Sequence, residues 1–536
     1  MESYHQAALF SQMARPDFYP HPADDIEQRE THISKVFLAG CFVYKIKKPV
    51  NPGFLDFTTL ENRKYYCMQE LLLNRRLTHN IYLDVVAITF NDGKYCLDGP
   101  GRPVEYAVKM HRLPDTSSMI HLLRNSRINE EELGILAKKL AGFYGNAISD
   151  SRINDFGTWE TIRTNCEENF RQTEQFAQKI FDERLFKIVR FAMSSFLHRN
   201  KQLFDNRIKA KKIRDCHGDL RTEHIYYTDD GIQIIDCIEF NDRFRFQDVA
   251  SDLAFLAMDL DYEGYDRTSE ILLNAYVRYS KDFNVFVLID FYKCYRAMVR
   301  FKVNCIRLQA NDLSEQNRHR LLAGIEKYLN LAYQYAIRFT RPTLWVVCGM
   351  PASGKSTVSE ELAGIFGIRV FNSDVIRKQM MGAASHDHSN TPFETGIYSK
   401  GITALTYGRL LLLAQEEIEK GESVILDATF NTAHHRNEAK LLAKDMDVNV
   451  MFVECVVPEN LLKKRLLLRN NKPSISDARI SNYASFQKQF EPLAEVSNEQ
   501  HIIIYTQNSL DECMQRILNP DFSQAGAGQE LRYSST

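Results

Sequence analysis

Residues 344–360 read LWVVCGMPASGKSTVSE: an apolar run, a loop bracketed by Gly349 and Gly354, then Lys355-Ser356-Thr357. The run predicts a buried strand, and the residues from Lys355 onward predict the first turn of a helix. At the spacing Gly349-x-x-x-x-Gly354-Lys355-Ser356, glycines let backbone N–H groups converge on phosphate oxygens, and the helix adds the positive end of its dipole. Lys355 then reaches the β- and γ-phosphates, and Ser356 is placed to ligate Mg²⁺. Ser353 in the loop and Thr357 on the helix complete a nucleotide-binding set. The stretch predicts a nucleoside triphosphate site on a parallel α/β sheet.

The text beyond it alternates strand and helix, as a doubly covered parallel sheet requires. In RVFNSDVIRKQM (369–380), Asp374 follows a strand and Arg377 comes one helical turn later. A carboxylate there can accept a proton from an attacking hydroxyl while the arginine holds an anion or the moving phosphoryl group. SVILDATF (423–430) puts Asp427 at the end of a buried strand, where an acid acts on Mg²⁺ or its waters. Arg465 and Arg469 are spaced i, i+4 before the polar loop NNKPSISDAR, a pattern that suits either a lid over ATP phosphates or a solvated face. His386-Asp387-His388 reads as part of an acceptor-binding loop rather than a metal cluster. This α/β domain is expected over 342–520, with 521–536 as a disordered tail.

Some 340 residues precede the phosphate loop. From about 30 to 115 they alternate like strands, interrupted by one helical segment, and from about 116 to 341 they read mostly as helix. Within the helical part lies His217-Gly218-Asp219, followed seventeen positions later (236 − 219) by Asp236 at the end of the apolar run IQIID. Kinase chemistry uses such a pair: one carboxylate orients and deprotonates the acceptor, and the other holds Mg²⁺ against the phosphates. A β-rich lobe should then supply a lysine and a helical glutamate to orient it. CFVYKIKKPV offers Lys45, with Lys47 on the same strand face, and MQELLLNRRL offers Glu70.

Two resemblances follow from these residues. GMPASGKST, SDVIR, VILDATF and RLLLRNNKPSISDAR resemble the zeta-toxin-like P-loop kinases, also called AAA_33, over about 343–515. That resemblance implies Asp374 and Arg377 as the acceptor-activating Asp-x-x-Arg, and Arg436 as an arginine contacting acceptor or phosphate. The order of Lys45, Glu70, VEYAVKM and HGD resembles the aminoglycoside-phosphotransferase-like kinases over about 30–335. VYKIKKPVNPGFLDFTTLENR, HGDLRTEHIY and IEFNDRFRFQDVASDLAFLAMDL are similar to a bacterial group in which that domain is fused to a zeta-toxin-like kinase. The resemblance implies a bilobal, protein-kinase-like α+β domain over 1–341, with Asp219 as catalytic base, Asp236 as metal ligand and Lys45 as the ATP anchor. It makes Asp248 and Asp252 buried structural carboxylates. One departure stands out: the expected second metal ligand, an Asn five positions after the catalytic Asp, is His224 here. Hard Mg²⁺ prefers oxygen, so His224 points to Mn²⁺, a water-bridged Mg²⁺, or slow turnover.

Composition narrows the rest. The 536 residues are 44% hydrophobic and 25% charged with a net charge of −2, which provides no global field for nucleic acid or anionic membrane. Eleven scattered cysteines without a C-x-x-C pair argue against a disulfide framework or a structural zinc site. No run reaches the ~20 apolar residues that span a bilayer, so the expected home is cytoplasmic. The expectation is a bifunctional kinase using ATP with Mg²⁺ or Mn²⁺ on small-molecule hydroxyl acceptors. Two alternatives remain: a P-loop kinase regulated by a nucleotide-binding pseudokinase, and a polynucleotide 5′-end kinase.

Overall fold

A computed structural model describes residues 2–53, 55–177, 179–309, 313–382, 396–469 and 479–518. The expected tail 521–536, the His386-Asp387-His388 cluster, most of the lid loop and the Arg469 side chain lie outside the described residues. The chain forms two compact units. The first is built from residues up to Arg190, Phe204–Ser280 and Tyr292–Ala332. The second takes Phe191–Leu203, Lys281–Phe291 and the chain from Tyr333 onward. Among the described residues no helix is long and apolar enough to cross a membrane.

The first unit is an α+β body with a sheet-rich lobe and a helical lobe. Its sheet comprises β1 (Ile26–Glu30), β2 (Ser34–Ala39), β3 (Phe42–Lys47), β4 (Tyr82–Asn91), β5 (Lys94–Leu97) and β6 (Arg102–His111), antiparallel in the order β1-β2-β3-β6-β4-β5. The period of two in β3 decides which side chains meet the ligand side. Tyr44 and Ile46 pack with Phe37 and Ile88 beneath Leu9 and Met13 of the helix Glu2–Met13. Val43 turns to the opposite face with Cys67, Leu71 and Val108, so Lys45 and Lys47 emerge on the side covered by the helix Leu60–Asn74. Thr59 caps that helix by accepting the Asn62 N–H at 3.1 Å.

In the helical lobe, β7 (Ile213–Asp215) leads into the His-Gly-Asp loop. A hairpin of β8 (Ile225–Thr228) and β9 (Gly231–Ile234) then delivers Asp236, and β10 (Phe246–Asp248) returns to pair with β7. Beneath this loop Arg207 donates to both Asp248 oxygens at 2.8 and 2.6 Å, with both side chains about 1% exposed.

In the second unit β11 (Thr343–Cys348), β12 (Arg369–Asn372), β13 (Val424–Asp427), β14 (Asn449–Val456) and β15 (His501–Tyr505) form a parallel sheet in the order β12-β13-β11-β14-β15. Both faces are covered, which is why LWVVC reads as a continuous apolar run. Leu344 and Val346 pack with Tyr407 and Leu410 on one face, while Trp345 and Val347 pack with Val358, Leu362 and Ile502 on the other. The phosphate-loop strand is therefore central, its carboxyl end flanked by those of β13 and β14, with β12 one strand further out beyond β13.

Arg207→Met leaves the Asp248 carboxylate buried without its main partner. It should lower stability by about 3–5 kcal/mol, read as a fall in the thermal midpoint, and the double variant R207M/D248L should recover part of that loss.

Candidate active sites

In the first unit a buried charge array links β3 to the segment after β9. Lys45 Nζ lies 2.8 Å from Glu70 Oε1 and 2.6 Å from Asp236 Oδ1. Lys47 is fully buried, with Nζ 2.8 Å from Glu70 Oε2 and in contact with Glu239. Glu70 thus bridges the two lysines. Burial pushes Lys45 down, but Asp236 and Glu70 outweigh it and hold the ammonium well above its ordinary value. Burial raises the Glu70 carboxyl, and Lys45 and Lys47 turn the balance and hold it low. For Glu239 burial wins, and its carboxyl is raised despite Lys47.

Asp219 and Asp236 are brought together around His224. The ring's Nδ1 lies 2.8 Å from the Asp219 carbonyl oxygen, and its Nε2 lies 3.6 Å from Asp236 Oδ2. With Nδ1–H donating to the carbonyl, the other ring nitrogen, Nε2, is left facing a carboxylate. Two acceptors facing each other are satisfied by a ring proton or by a shared cation, so this donor pair fits a metal ion. One imidazole and one carboxylate suit Mn²⁺ better than Mg²⁺.

The Asp219 carboxylate is gripped by Arg221 in a two-pronged pair, Nε–Oδ1 and Nη2–Oδ2 both at 3.0 Å. Burial raises the Asp219 carboxyl, but Arg221 and His224 together drive it well below the ordinary range. The loop itself is fixed from behind. Asp252 accepts the N–H groups of His217 and Gly218 at 3.0 and 2.8 Å, and the Tyr144 hydroxyl at 2.9 Å. Gly218 has φ 93°, and a Cβ there would meet the Phe244 carbonyl oxygen at 3.0 Å, so the turn requires glycine. On its far side Asp219 opens onto a cavity of about 690 Å³.

In the second unit a cavity of about 640 Å³ is lined by Gly354, Lys355, Ser356 and Thr357 together with Asp374, Arg377 and Asp427. Gly349 adopts φ 133°, and a Cβ there would lie 2.5 Å from the Cys455 carbonyl oxygen. Lys355 Nζ folds back to donate to the Met350 carbonyl at 2.9 Å. Asp374 and Arg377 pair at 2.8 Å, one helical turn apart. Among the described residues the buried Arg377 Nε has no hydrogen-bond partner, which leaves a donor for an anion at the site. Asp427 accepts from Asn372 Nδ2 at 2.7 Å. Burial raises its carboxyl, opposed by Lys355 and the Ser356 hydroxyl. The Ser356 and Asp427 oxygens are a hard donor set and fit Mg²⁺. His434 and His435 also line the cavity, with His435 stacked on Tyr407 at 3.9 Å and 2°.

Arg465 docks on Thr506, just after β15, and on the loop backbone at Ala352, and is not among the residues that line the cavity. It donates to the Thr506 carbonyl at 2.8 Å and reaches the Ala352 carbonyl at 3.4 Å. Arg436 corrects the sequence reading. It is fully buried, donating to the carbonyls of Phe430 and Pro492 at 2.8 and 3.0 Å and pairing with Glu495. All three nitrogens of this guanidinium are engaged inside the protein and none is exposed, so it does not face a substrate. The local text AHHRNEA gives no sign of this enclosure, because Pro492 and Glu495 come from some 60 positions further along the chain.

Comparison with known proteins bears on this geometry. Residues 344–493 match the AAA_33 family model, described as an AAA domain. The Mycobacterium tuberculosis (strain H37Rv) protein named "Uncharacterized protein Rv2004c" is 30% identical over 464 residues, covering 86% of this chain and 90% of its own. The chain belongs to the Rv2004c family. Among solved structures, the GDP complex of aminoglycoside 2′-phosphotransferase-IIIa is similar at 14% identity over 62% of this chain and 98% of that one, with a TM-score of 0.38. A Chloroflexus aurantiacus protein described as a putative kinase is similar at 19% identity over 33% and 97%, with a TM-score of 0.28. At those scores neither bears on the chemistry of this Rv2004c-family chain.

Two residues of the first site escaped the sequence reading. Arg221 stands two positions after Asp219, the spacing at which extended backbone puts side chains on one side. Glu239 stands three positions after Asp236, and its only signal is a carboxylate in otherwise apolar text. Arg436→Met should lower the thermal midpoint by an amount equivalent to about 3 kcal/mol. At low temperature it should leave nucleotide affinity unchanged within about twofold, measured by equilibrium titration; lost affinity would restore Arg436 as a ligand contact.

Proposed function

We propose that the protein is a bifunctional ATP-dependent phosphotransferase, with one nucleotide site in each unit and a hydroxyl compound as acceptor at both. The observation that carries this reading is the pairing, in each unit, of a lysine suited to phosphate with an aspartate suited to a hydroxyl. Lys45 stands with Asp236 and Asp219 around His224, and Lys355 shares a cavity with Asp374. Eleven free cysteines suit a reducing cytoplasm.

In the second unit the loop N–H groups and Lys355 hold the phosphates. The acceptor oxygen forms a bond to the γ-phosphorus, the β–γ bridging P–O bond breaks, and ADP leaves with the electron pair. Asp374 accepts the hydroxyl proton, and the free Arg377 Nε–H donates to the moving phosphoryl group. Ser356 and Asp427 would hold Mg²⁺, whose chemistry there is neutralisation of charge on the β- and γ-oxygens. In the first unit Lys45 must exchange Asp236 for phosphate oxygens when ATP enters, which frees Asp236 Oδ1 for a cation shared with His224. Asp219, kept ionised by Arg221, accepts the acceptor's hydrogen bond and aims its oxygen at phosphorus. Positioning does most of the work at both sites.

The test is incubation of full-length protein with Mn²⁺ or Mg²⁺, γ-labelled ATP and a metabolite extract, followed by mass analysis. Asp219→Ala and Asp374→Ala should each remove a distinct set of phosphorylated products, with rates falling about 10²–10⁴-fold. Loss only with Asp374→Ala would make the first unit a nucleotide-binding regulator. Labelling of RNA or DNA 5′ ends in place of small molecules would replace the acceptor assignment.

The pH profile gives a second check. Asp219 is held low, so the acid limb of first-unit activity should lie below the ordinary carboxylate range. Arg221→Gln removes its main stabilising charge and should move that limb upward by about 1–3 pH units, while Asp374-dependent products keep their profile.

A further inference from the structure

The 690 Å³ cavity beside Asp219 is walled by residues of the helices Trp159–Thr173 and Asn284–Arg307. Phe240, Phe244 and Tyr295 give it an aromatic lining. Its charges do not balance. Three carboxylates line it or its edge, and each already has an arginine. Glu168 pairs with Arg243 at 2.6 Å, Asp219 with Arg221 at 3.0 Å and Asp248 with Arg207 at 2.6 Å. Three cations on the facing helix have no such partner. Among the described residues Arg296 donates only to neutral oxygens, those of Ser251, Gly218 and Gln247, and Arg300 reaches only the Tyr328 hydroxyl at 3.4 Å. Lys302 has neither a hydrogen bond nor an ion pair among the described residues.

Tyr292, Tyr295, Val299, Lys302 and Ile306 recur at helical spacing with Arg296, Arg300 and Val303 beside them, so one side of this helix, carrying the three cations, faces the cavity. Unneutralised charge in a partly enclosed, aromatic-walled space is costly unless a counter-ion enters. Burial pushes Lys302 down to about 8, with the Arg243 charge adding to it and Glu168 only partly offsetting it, as expected of an ammonium without a carboxylate at contact distance.

We propose that the hydroxyl acceptor of the first unit carries an anionic group, a carboxylate or a phosphate, held by Lys302, Arg300 and Arg296 while its hydroxyl meets Asp219. The inference rests on the phosphotransferase reading of this unit and adds the acceptor's chemical class. Phe240, Phe244 and Tyr295 suit an apolar or ring-bearing body between the two ends. A neutral or cationic acceptor would leave three positive charges facing it, which is negative selection against amines.

The experiment separates a metabolite extract by charge into cationic, neutral and anionic fractions and incubates each with ATP and full-length protein. Products gaining one phosphoryl group are scored as first-unit products when Asp219→Ala removes them. The proposal expects them in the anionic fraction. Pretreating that fraction with alkaline phosphatase removes the acceptor if its anion is a phosphate monoester and spares it if it is a carboxylate. Lys302→Met should then raise KM for that acceptor about 10–100-fold, with kcat and the KM for ATP nearly unchanged. Lys302→Arg should restore most of the affinity, and Arg300→Met should weaken it similarly. Asp219-dependent products confined to the neutral or cationic fraction overturn the anionic assignment and leave the kinase reading standing. So does a Lys302→Met effect on the KM for ATP alone. Absence of Asp219-dependent products from every fraction overturns the kinase reading of this unit, and the inference with it.

Discussion

Two lysines on one strand cannot be buried without carboxylates, and much of the first unit follows from that constraint. Lys45 and Lys47 leave β3 on the ligand side, and Glu70 from the helix Leu60–Asn74 takes both. Asp236 and Glu239 close the array from the segment after β9. Sheet, helix and the β8–β9 hairpin therefore meet at one set of charges. Three carboxylates against two ammonium groups leave negative charge in excess. Part of that excess is relieved by the raised Glu239 carboxyl, and a cation near Asp236 and His224 would relieve the rest. The array binds the lobe together and leaves room for a metal by the same arithmetic.

The second unit solves the phosphate problem differently. Its anion grip comes from backbone N–H groups in a loop whose glycines admit close approach, so it needs little buried charge. Asp427 is the exception, nearly enclosed at the end of β13 and raised by burial. Lys355, the Ser356 hydroxyl and the Asn372 amide oppose that burial, and a cation held by Asp427 would oppose it further. In the first unit Asp219, Asp236 and Glu70 are held low by their partners, and the Lys45–Asp236 contact is the one that a nucleotide would have to displace. One site waits for charge, and the other rearranges it.

The depth to which the sequence could be read tracks contact range. The phosphate loop, the Asp374–Arg377 pair and the His-Gly-Asp turn are local, so spacing alone located them. Lys45 and Glu70 were legible because strand and helix periodicity fix the faces on which they project. Asp219 and Asp236 were legible because the Asp229-Asp230-Gly231 turn marks the hairpin between them. Arg436 was misread because its burial is decided by Pro492 and Glu495, far along the chain. Glu239 and the Arg221 clamp were missed for a related reason: a lone charged residue gives no sign of which partner will reach it. The inclusion of Phe191–Leu203 and Lys281–Phe291 in the second unit is likewise invisible to linear periodicity.

The Arg221 clamp bears on what kind of catalyst the first unit is. A general base works best with a pKa near the operating pH, because it must both be free and want the proton. Asp219 is free at any physiological pH and wants the proton very little. In a loose phosphoryl-transfer transition state the hydroxyl keeps its proton until bond formation to phosphorus is well advanced. A weakly basic carboxylate suffices there, provided its direction is fixed. Two arginine hydrogen bonds on the carboxylate, two backbone bonds from Asp252 to the loop and a glycine that no other residue can replace all fix direction. The local design sacrifices basicity for aim, which favours the reaction whose barrier lies in alignment.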